Sequence, residues 1–172
     1  MENRRKFIKK SASAVAFGLV ADWASAMPSS DKLGEILPQR QLTRDGQKVT
    51  SFCLGGYHLG ITENPKEAEK MIERSMELGV RFFDNARRYH DGRSEEYMGR
   101  FLTPKYRDEI FLMSKAPAKT GKGVQQQLDE TLKALKTDYL DLWQIHTLTT
   151  PEDVDNRLRD GALDGFLEAK EK

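Results

Sequence analysis

Four stretches able to form buried strands end near Leu54, Asp84, Ser114 and His146, about thirty residues apart, with a helical pattern between successive ones. Strand and helix units of that length pair their strands in parallel, because a parallel connection must cross over the sheet, and that crossover closes right-handed. Phe82-Phe83, Ile110-Phe111-Leu112-Met113 and residues 140–145 are apolar runs of the kind that strands covered on both faces require. Consecutive units of this sort build the first half of a (β/α)8 barrel or a small doubly wound sheet. A complete barrel typically needs about 250 residues, and a chain of 172 cannot hold one.

Local signals place the connecting elements. Residues 39–43 and 47–52 flank Asp45-Gly46, a dipeptide whose tolerance of positive φ suits a hairpin turn. In the first helix Asn64 is the cap, Pro65 takes the first helical position and Glu67 completes a capping box. Ala68, Met71, Ile72, Ser75 and Met76 share one face, and Gly79 stops the chain. Met71 and Met76 are read as core. A short second helix is expected over 94–101 and a third over 124–135, with Val124, Leu128, Thr131, Leu132 and Leu135 inward. A fourth begins near Gly161.

The amino terminus is read apart from the fold. Arg4, Arg5, Lys6, Lys9 and Lys10 precede a weakly apolar run over 12–20, and Ala24-Ser25-Ala26 offers small residues at a cleavage position. A basic region, a short apolar region and a small-residue site make an export signal, too short for an ordinary membrane span. Asn3-Arg4-Arg5-Lys6-Phe7-Ile8-Lys9 resembles the twin-arginine (Tat) translocation pattern. The chain therefore divides into a Tat-type signal peptide over 1–26, a linker over 27–36 and a folded region over 37–172. The expected destination is periplasmic or extracytoplasmic, with tethering by an uncleaved signal as the alternative. The net charge of +1 comes mostly from the signal, so no polybasic surface for nucleic acid remains. A single cysteine, Cys53, excludes an intramolecular disulfide and a cysteine-based zinc site, and no metal is expected. Cys53 is read as a small buried hydrophobe of the first strand, and His58 and His90 as solvated loop groups.

Reactive side chains collect where strands end. In a parallel α/β barrel the carboxyl ends of the strands converge on one mouth. Asp84 closes the second strand, Tyr89 follows in the next loop, Lys115 closes the third and His146 the fourth. A phenol is a poor proton donor at neutral pH, and an adjacent ammonium such as Lys115 stabilises its phenolate. Asp84 would keep Lys115 charged and oriented, and a neutral His146 would hydrogen-bond a substrate oxygen. The set describes carbonyl reduction with Tyr89 supplying the proton.

These residues resemble the aldo-keto reductase family. The block from Phe82-Phe83-Asp84-Asn85 through Tyr89 to Gly92-Arg93-Ser94-Glu95-Glu96 looks like its second-strand signature. Ser114-Lys115 is similar to the third-strand pair, and Asp141-Leu142-Trp143-Gln144-Ile145-His146 to the fourth-strand segment ending in the catalytic histidine. Leu54-Gly55-Gly56-Tyr57-His58-Leu59-Gly60 resembles the Gly-rich end of the first strand that backs the nicotinamide, and the Asp45-Gly46 hairpin resembles the cap on the barrel floor.

The resemblance implies an α/β fold: an incomplete (β/α)8 TIM-type barrel, an amino-terminal hairpin plus about four βα units, truncated in the fourth helix. It also implies NADP(H)-dependent reduction of an aldehyde or ketone to an alcohol. Asp84, Tyr89, Lys115 and His146 would be catalytic, and Gly55, Gly56, Tyr57 and Asp84 would bind cofactor, with Tyr57 also facing substrate. The family holds the rest of its cofactor through strands five to eight, so the 172-residue chain alone is expected to be inactive. Its partners would be a small-molecule carbonyl substrate and either a second copy or a complementing carboxyl-terminal half. The alternative is a non-catalytic half-barrel or protein-binding module. Changing Arg4 and Arg5 together to Lys is expected to abolish Tat-dependent export while preserving charge. Fractionation of the tagged chain checks this, and undiminished export of the Lys-Lys variant would refute it.

Overall fold

The computed structural model describes residues 29–171, so the signal sequence read over 1–26 lies outside the described residues. Four parallel strands form one sheet in sequential order. They are β5 (Leu54–Gly55), β6 (Phe82–Asp84), β7 (Phe111–Ala116) and β8 (Leu142–Ile145). Sequential order is what right-handed crossovers between neighbouring strands produce, and it is the order of one arc of a barrel.

The helices alternate with those strands. A short α1 (Gly56–Ile61) leads into α2 (Pro65–Glu77), and α3 (Arg93–Phe101) is followed by a single turn, α4 (Thr103–Tyr106). Beyond β7 comes α5 (Gly121–Leu135), and beyond β8 come α6 (Pro151–Arg159) and α7 (Ala162–Glu171). Asn64 caps α2 by accepting from the Lys66 amide at 3.1 Å, with Pro65 in the first turn. Glu67 does not reach back to the cap backbone: its carboxylate accepts from the Thr62 hydroxyl at 3.0 Å. Gly79 follows the last turn at φ +82, where a side chain would also strike the backbone of residues 35–37.

The period of two along the strands sorts side chains between two faces. Phe83 and Leu112 point to the helices and are fully buried with Ile72, Met98 and Leu135. Phe82, Phe111, Met113 and Leu142 point the other way and pack with Val49. That second face is the interior of the arc. Its floor is the hairpin of β3 (Gln39–Gln41) and β4 (Lys48–Thr50), in which Gln39 pairs with Thr50 and Gly46 turns at φ +97.

Residues 29–36, read from sequence as part of a linker, form a second antiparallel ribbon of β1 (Ser29–Asp31) and β2 (Gly34–Ile36). Short polar residues show no strand period, and the group that anchors the ribbon is fifty residues away in sequence. The buried Arg81 guanidinium pairs with Asp31 at 2.6 and 3.2 Å and donates to the Met76 and Val80 carbonyls. This pair holds the Asp31 carboxyl below the usual carboxylate range. The ribbon is therefore docked on the barrel floor.

Besides the single turn α4, two helices were not expected from the sequence. Helix α1 begins inside the Gly-rich segment that ends β5, where glycines mask any helical period. Helix α6 buries only Arg157 and leaves Val154 and Leu158 exposed, so hydrophobic spacing does not announce it. Its start was nonetheless written in Thr150-Pro151, because the Thr150 hydroxyl accepts from the Asp153 amide at 3.1 Å.

Helices α3 and α5 cross at Gly99, where a methyl group would overlap the Ala134 carbonyl oxygen. Backbone on the opposing helix cannot step aside as a flexible side chain can. Gly99→Ala is therefore expected to destabilise the fold by about 1–3 kcal/mol or more, the usual cost of overpacking. Urea denaturation checks this, and an unchanged midpoint would mean that the two helices separate freely.

Candidate active site

The same alternation that buries Phe83 places Asp84 and Lys115 on the interior face, with His146 following at the end of β8. Main-chain pairing continues past the strands: Asn85 N donates to Met113 O at 2.9 Å, Arg87 N to Lys115 O at 3.0 Å and His146 N to Ala116 O at 2.8 Å. These bonds bring the ends of β6, β7 and β8 level.

The Lys115 ammonium is the centre of the group. It donates to the Asp84 carboxylate, to the Asn85 carbonyl at 2.8 Å and to the Tyr89 hydroxyl at 3.4 Å. Lys115 is largely buried, with 15% of its side chain exposed, and Asp84 with 27%. All three ammonium protons thus have acceptors. The Tyr89 ring stands edge-on to His146, with centroids 5.7 Å apart, and edge-on to Tyr57 at 5.5 Å. The four residues named from sequence as catalytic therefore converge.

Burial pushes the His146 imidazole below its ordinary range, and the charges of Lys115 and Arg88 push it further. Neutral imidazole can donate an N–H hydrogen bond to a carbonyl oxygen without itself acting as the acid. His146 Nδ1 is buried with no hydrogen-bond partner among the described residues.

The loop bearing Tyr89 is held from below by a carboxylate to which sequence reasoning assigned no role. Glu95, in the first turn of α3, is fully buried. It accepts from the hydroxyls of Ser114 at 2.7 Å and Thr131 at 3.0 Å, and from the Arg87 guanidinium at 3.3 Å. Burial pushes its carboxyl up despite those donors. Arg87 also reaches Glu130 on α5 at 3.3 Å. The available signal was a glutamate in the first turn of a helix following a Gly-Arg-Ser run, but its partners come from β7 and α5.

The glycines divide in role. A side chain on Gly55 would meet nothing within 4 Å, so its backbone is open to a ligand. Gly56 is buried, and a methyl there would come within 2.5 Å of the Ser94 hydroxyl and 2.7 Å of Asn85 Oδ1. The hydrogen at Gly56 is thus required by packing against α3, whose Ser94 hydroxyl donates to the Gly56 carbonyl at 2.7 Å. Tyr57 is half exposed at the mouth. Open backbone at Gly55, the unpartnered His146 Nδ1 and the exposed Tyr57 fit the reactive end of a nicotinamide cofactor.

Two readings are corrected. Cys53 is exposed, because it precedes the two residues of β5, an edge strand among the described residues. His90 is half-buried, with Nε2 buried and unpartnered among the described residues, and its ring lies 4.8 Å from that of Tyr57. The loop folds it inward because His90, Asp91 and Gly92 all take positive φ, at 52, 55 and 90°. His58 is exposed as read, but on α1 rather than a loop.

With the fold and its tetrad in view, the comparisons with known proteins are direct. Residues 51–168 match the model of the aldo/keto reductase family. The chain belongs to that family. It is similar to the uncharacterised oxidoreductase YqkF of Bacillus subtilis, 27% identical over 146 residues, covering 78% of this chain and 45% of the relative. It is also similar to the methylglyoxal reductase YeaE of Escherichia coli, 33% identical over 95 residues, covering 54% of this chain and 33% of the relative. The holo form of aldo-keto reductase AKR11C1 from Bacillus halodurans shares the fold at a TM-score of 0.68 and 23% identity, over 77% of this chain and 46% of that one. The chain spans about half the length, or less, of the curated relatives it matches.

The His146 environment sets a pH signature. A histidine whose folded pKa is lowered contributes stability above its unfolded value and loses it as pH falls through the folded one. His146 is therefore expected to titrate below about 6.5, with the folded chain weakening over that acid window as the imidazolium forms beside Lys115 and Arg88. Lys115→Met should move the midpoint upward. Imidazole NMR titration measures both, and a His146 midpoint above 6.5 would contradict the environment described.

Proposed function

We propose that a barrel carrying this segment reduces an aldehyde or ketone to an alcohol with NADP(H). The observation that carries the reading is the Lys115 ammonium, joined to Asp84 and 3.4 Å from the Tyr89 hydroxyl. Gly55, Tyr57 and Asp84 would hold the nicotinamide, whose chemistry would be the supply of hydride to the carbonyl carbon. Tyr89 gives its phenolic proton to the carbonyl oxygen as negative charge develops there. The Lys115 ammonium stabilises the phenolate that remains, Asp84 keeps that ammonium oriented, and neutral His146 hydrogen-bonds the same oxygen and fixes its approach. Gly56 supports this arrangement by letting α1 sit against α3.

Small carbonyl compounds are the expected substrates, and the methylglyoxal reductase named among the relatives accords with that class. Because this segment corresponds to about half of its relatives, the proposal assigns the proton-donating half of the site to it. Export by the Tat route, proposed from Arg4-Arg5 and the segment after them, would place the enzyme outside the cytoplasm.

The test uses a barrel completed with the carboxyl-terminal half of a relative. Tyr89→Phe removes the donated proton and keeps the ring, so single-turnover reduction of a reactive aldehyde with NADPH should fall by roughly 10²- to 10⁴-fold. NADPH affinity should barely change. His146→Gln retains a hydrogen-bonding group and should cost less than Tyr89→Phe. Reduction by the Tyr89→Phe variant at the parental rate would sink the proposal.

A further inference from the structure

We propose that Arg157, on α6, is a positioning residue that clamps together the two loops leaving the site after Lys115 and after His146. Its side chain is only 6% exposed, the one buried side chain of α6. One guanidinium nitrogen donates to the carbonyls of Pro117 at 3.2 Å and Ala118 at 3.0 Å. The other terminal nitrogen donates to the Thr147 carbonyl at 3.2 Å, and Nε to the Asp153 carboxylate at 3.1 Å. Pro117 and Ala118 lie two and three residues beyond Lys115, and Thr147 is the residue after His146. Three acceptors from two loops thus share one planar fork, a geometry that a point-like ammonium cannot reproduce.

A second observation bears on the same loop. Thr147 takes φ 62, in the left-handed region that a β-branched residue rarely enters. Such a conformation persists only where its surroundings impose it. The Arg157 bond to the Thr147 carbonyl supplies that restraint from one side, and the bond from His146 N to Ala116 O supplies it from the other. Between these anchors the His146 ring is held edge-on to Tyr89. Arg157 touches neither reacting atoms nor the tetrad's side chains within hydrogen-bond distance. Its bonds run to backbone carbonyls and to Asp153, which orients the guanidinium and is held below the usual carboxylate range by it, and its charge also helps to push the His146 imidazole down.

The inference rests on His146 being the orienting group of the proposed reaction, but its test does not depend on turnover. The full chain contains three histidines, so His146 can be assigned by comparison with His146→Gln. Arg157→Lys keeps the charge and loses the fork, and Arg157→Met keeps the stem alone. Arg159→Met, at an exposed neighbouring position, is the control. In both Arg157 variants the NOE between the Tyr89 and His146 rings should be lost, and the His146 amide, bonded to Ala116 O, should exchange at least about tenfold faster. That change corresponds to about 1.4 kcal/mol of lost restraint. The control should match the parent.

If Arg157→Met does not fold, Arg157→Lys carries the test. Retention of the parental NOE and His146 amide exchange in Arg157→Lys would overturn the clamp, because charge alone would then suffice. A completed barrel without reductase activity, together with loss of the NOE in Arg157→Lys, would sink the proposed function and leave the clamp standing.

Discussion

The Lys115 ammonium is the group on which the arrangement of this molecule turns. It lies one residue before the end of β7, yet its three protons are taken by a carboxylate and a carbonyl at the end of β6 and by a phenol in the loop beyond. A partly buried ammonium is costly to leave without acceptors, and breaking such a pair strands a charge away from water. Satisfying it requires β6 and β7 to lie in one register: a slip of one residue would turn Asp84 or Lys115 into the helical layer. The requirement that joins the candidate site is therefore the same one that sets the pairing of Phe82 with Phe111 and of Asp84 with Met113.

Around this centre the fold uses buried polar groups as tethers. Glu95 gathers Ser114 from β7, Thr131 from α5 and Arg87 from the loop that carries Tyr89. Arg81 gathers the amino-terminal ribbon and the end of α2 at the opposite end of the sheet. Arg157 gathers the loops after β7 and β8. Each takes several acceptors or donors from segments distant in sequence, which is how a buried charge is kept in a low-dielectric interior. The apolar core between sheet and helices supplies cohesion, whereas these tethers fix where loop ends lie.

Much of the candidate site's geometry was legible in advance because its residues sit at strand ends. Apolar runs about thirty residues apart locate the strands, the period of two decides which side chains share a face, and the chemistry of phenol, ammonium, carboxylate and imidazole suggests a proton donor with its supports. Asp84, Tyr89, Lys115 and His146 converge as that reasoning requires. Less legible were Glu95 and Arg157, which read along the chain as ordinary charged helix residues. Burial turned them into anchors, and burial depends on what packs above them.

The amino-acid sequence by itself determined the local elements: the Asp45-Gly46 turn, the Asn64-Pro65 helix start, the parallel strands and the identity of the reactive groups. These follow from short-range propensities and from periodicity, which act within a few residues. Tertiary structure alone decided that residues 29–36 dock as a ribbon, that His90 turns inward while Cys53 stays exposed, and that Gly56 serves packing. It also decided that Arg157 joins two loops. Those outcomes rest on contacts between segments that a local pattern cannot bring together, such as Asp31 with Arg81, fifty residues apart. Such long-range pairs determine which polar groups become buried and which backbone carbonyls they must satisfy.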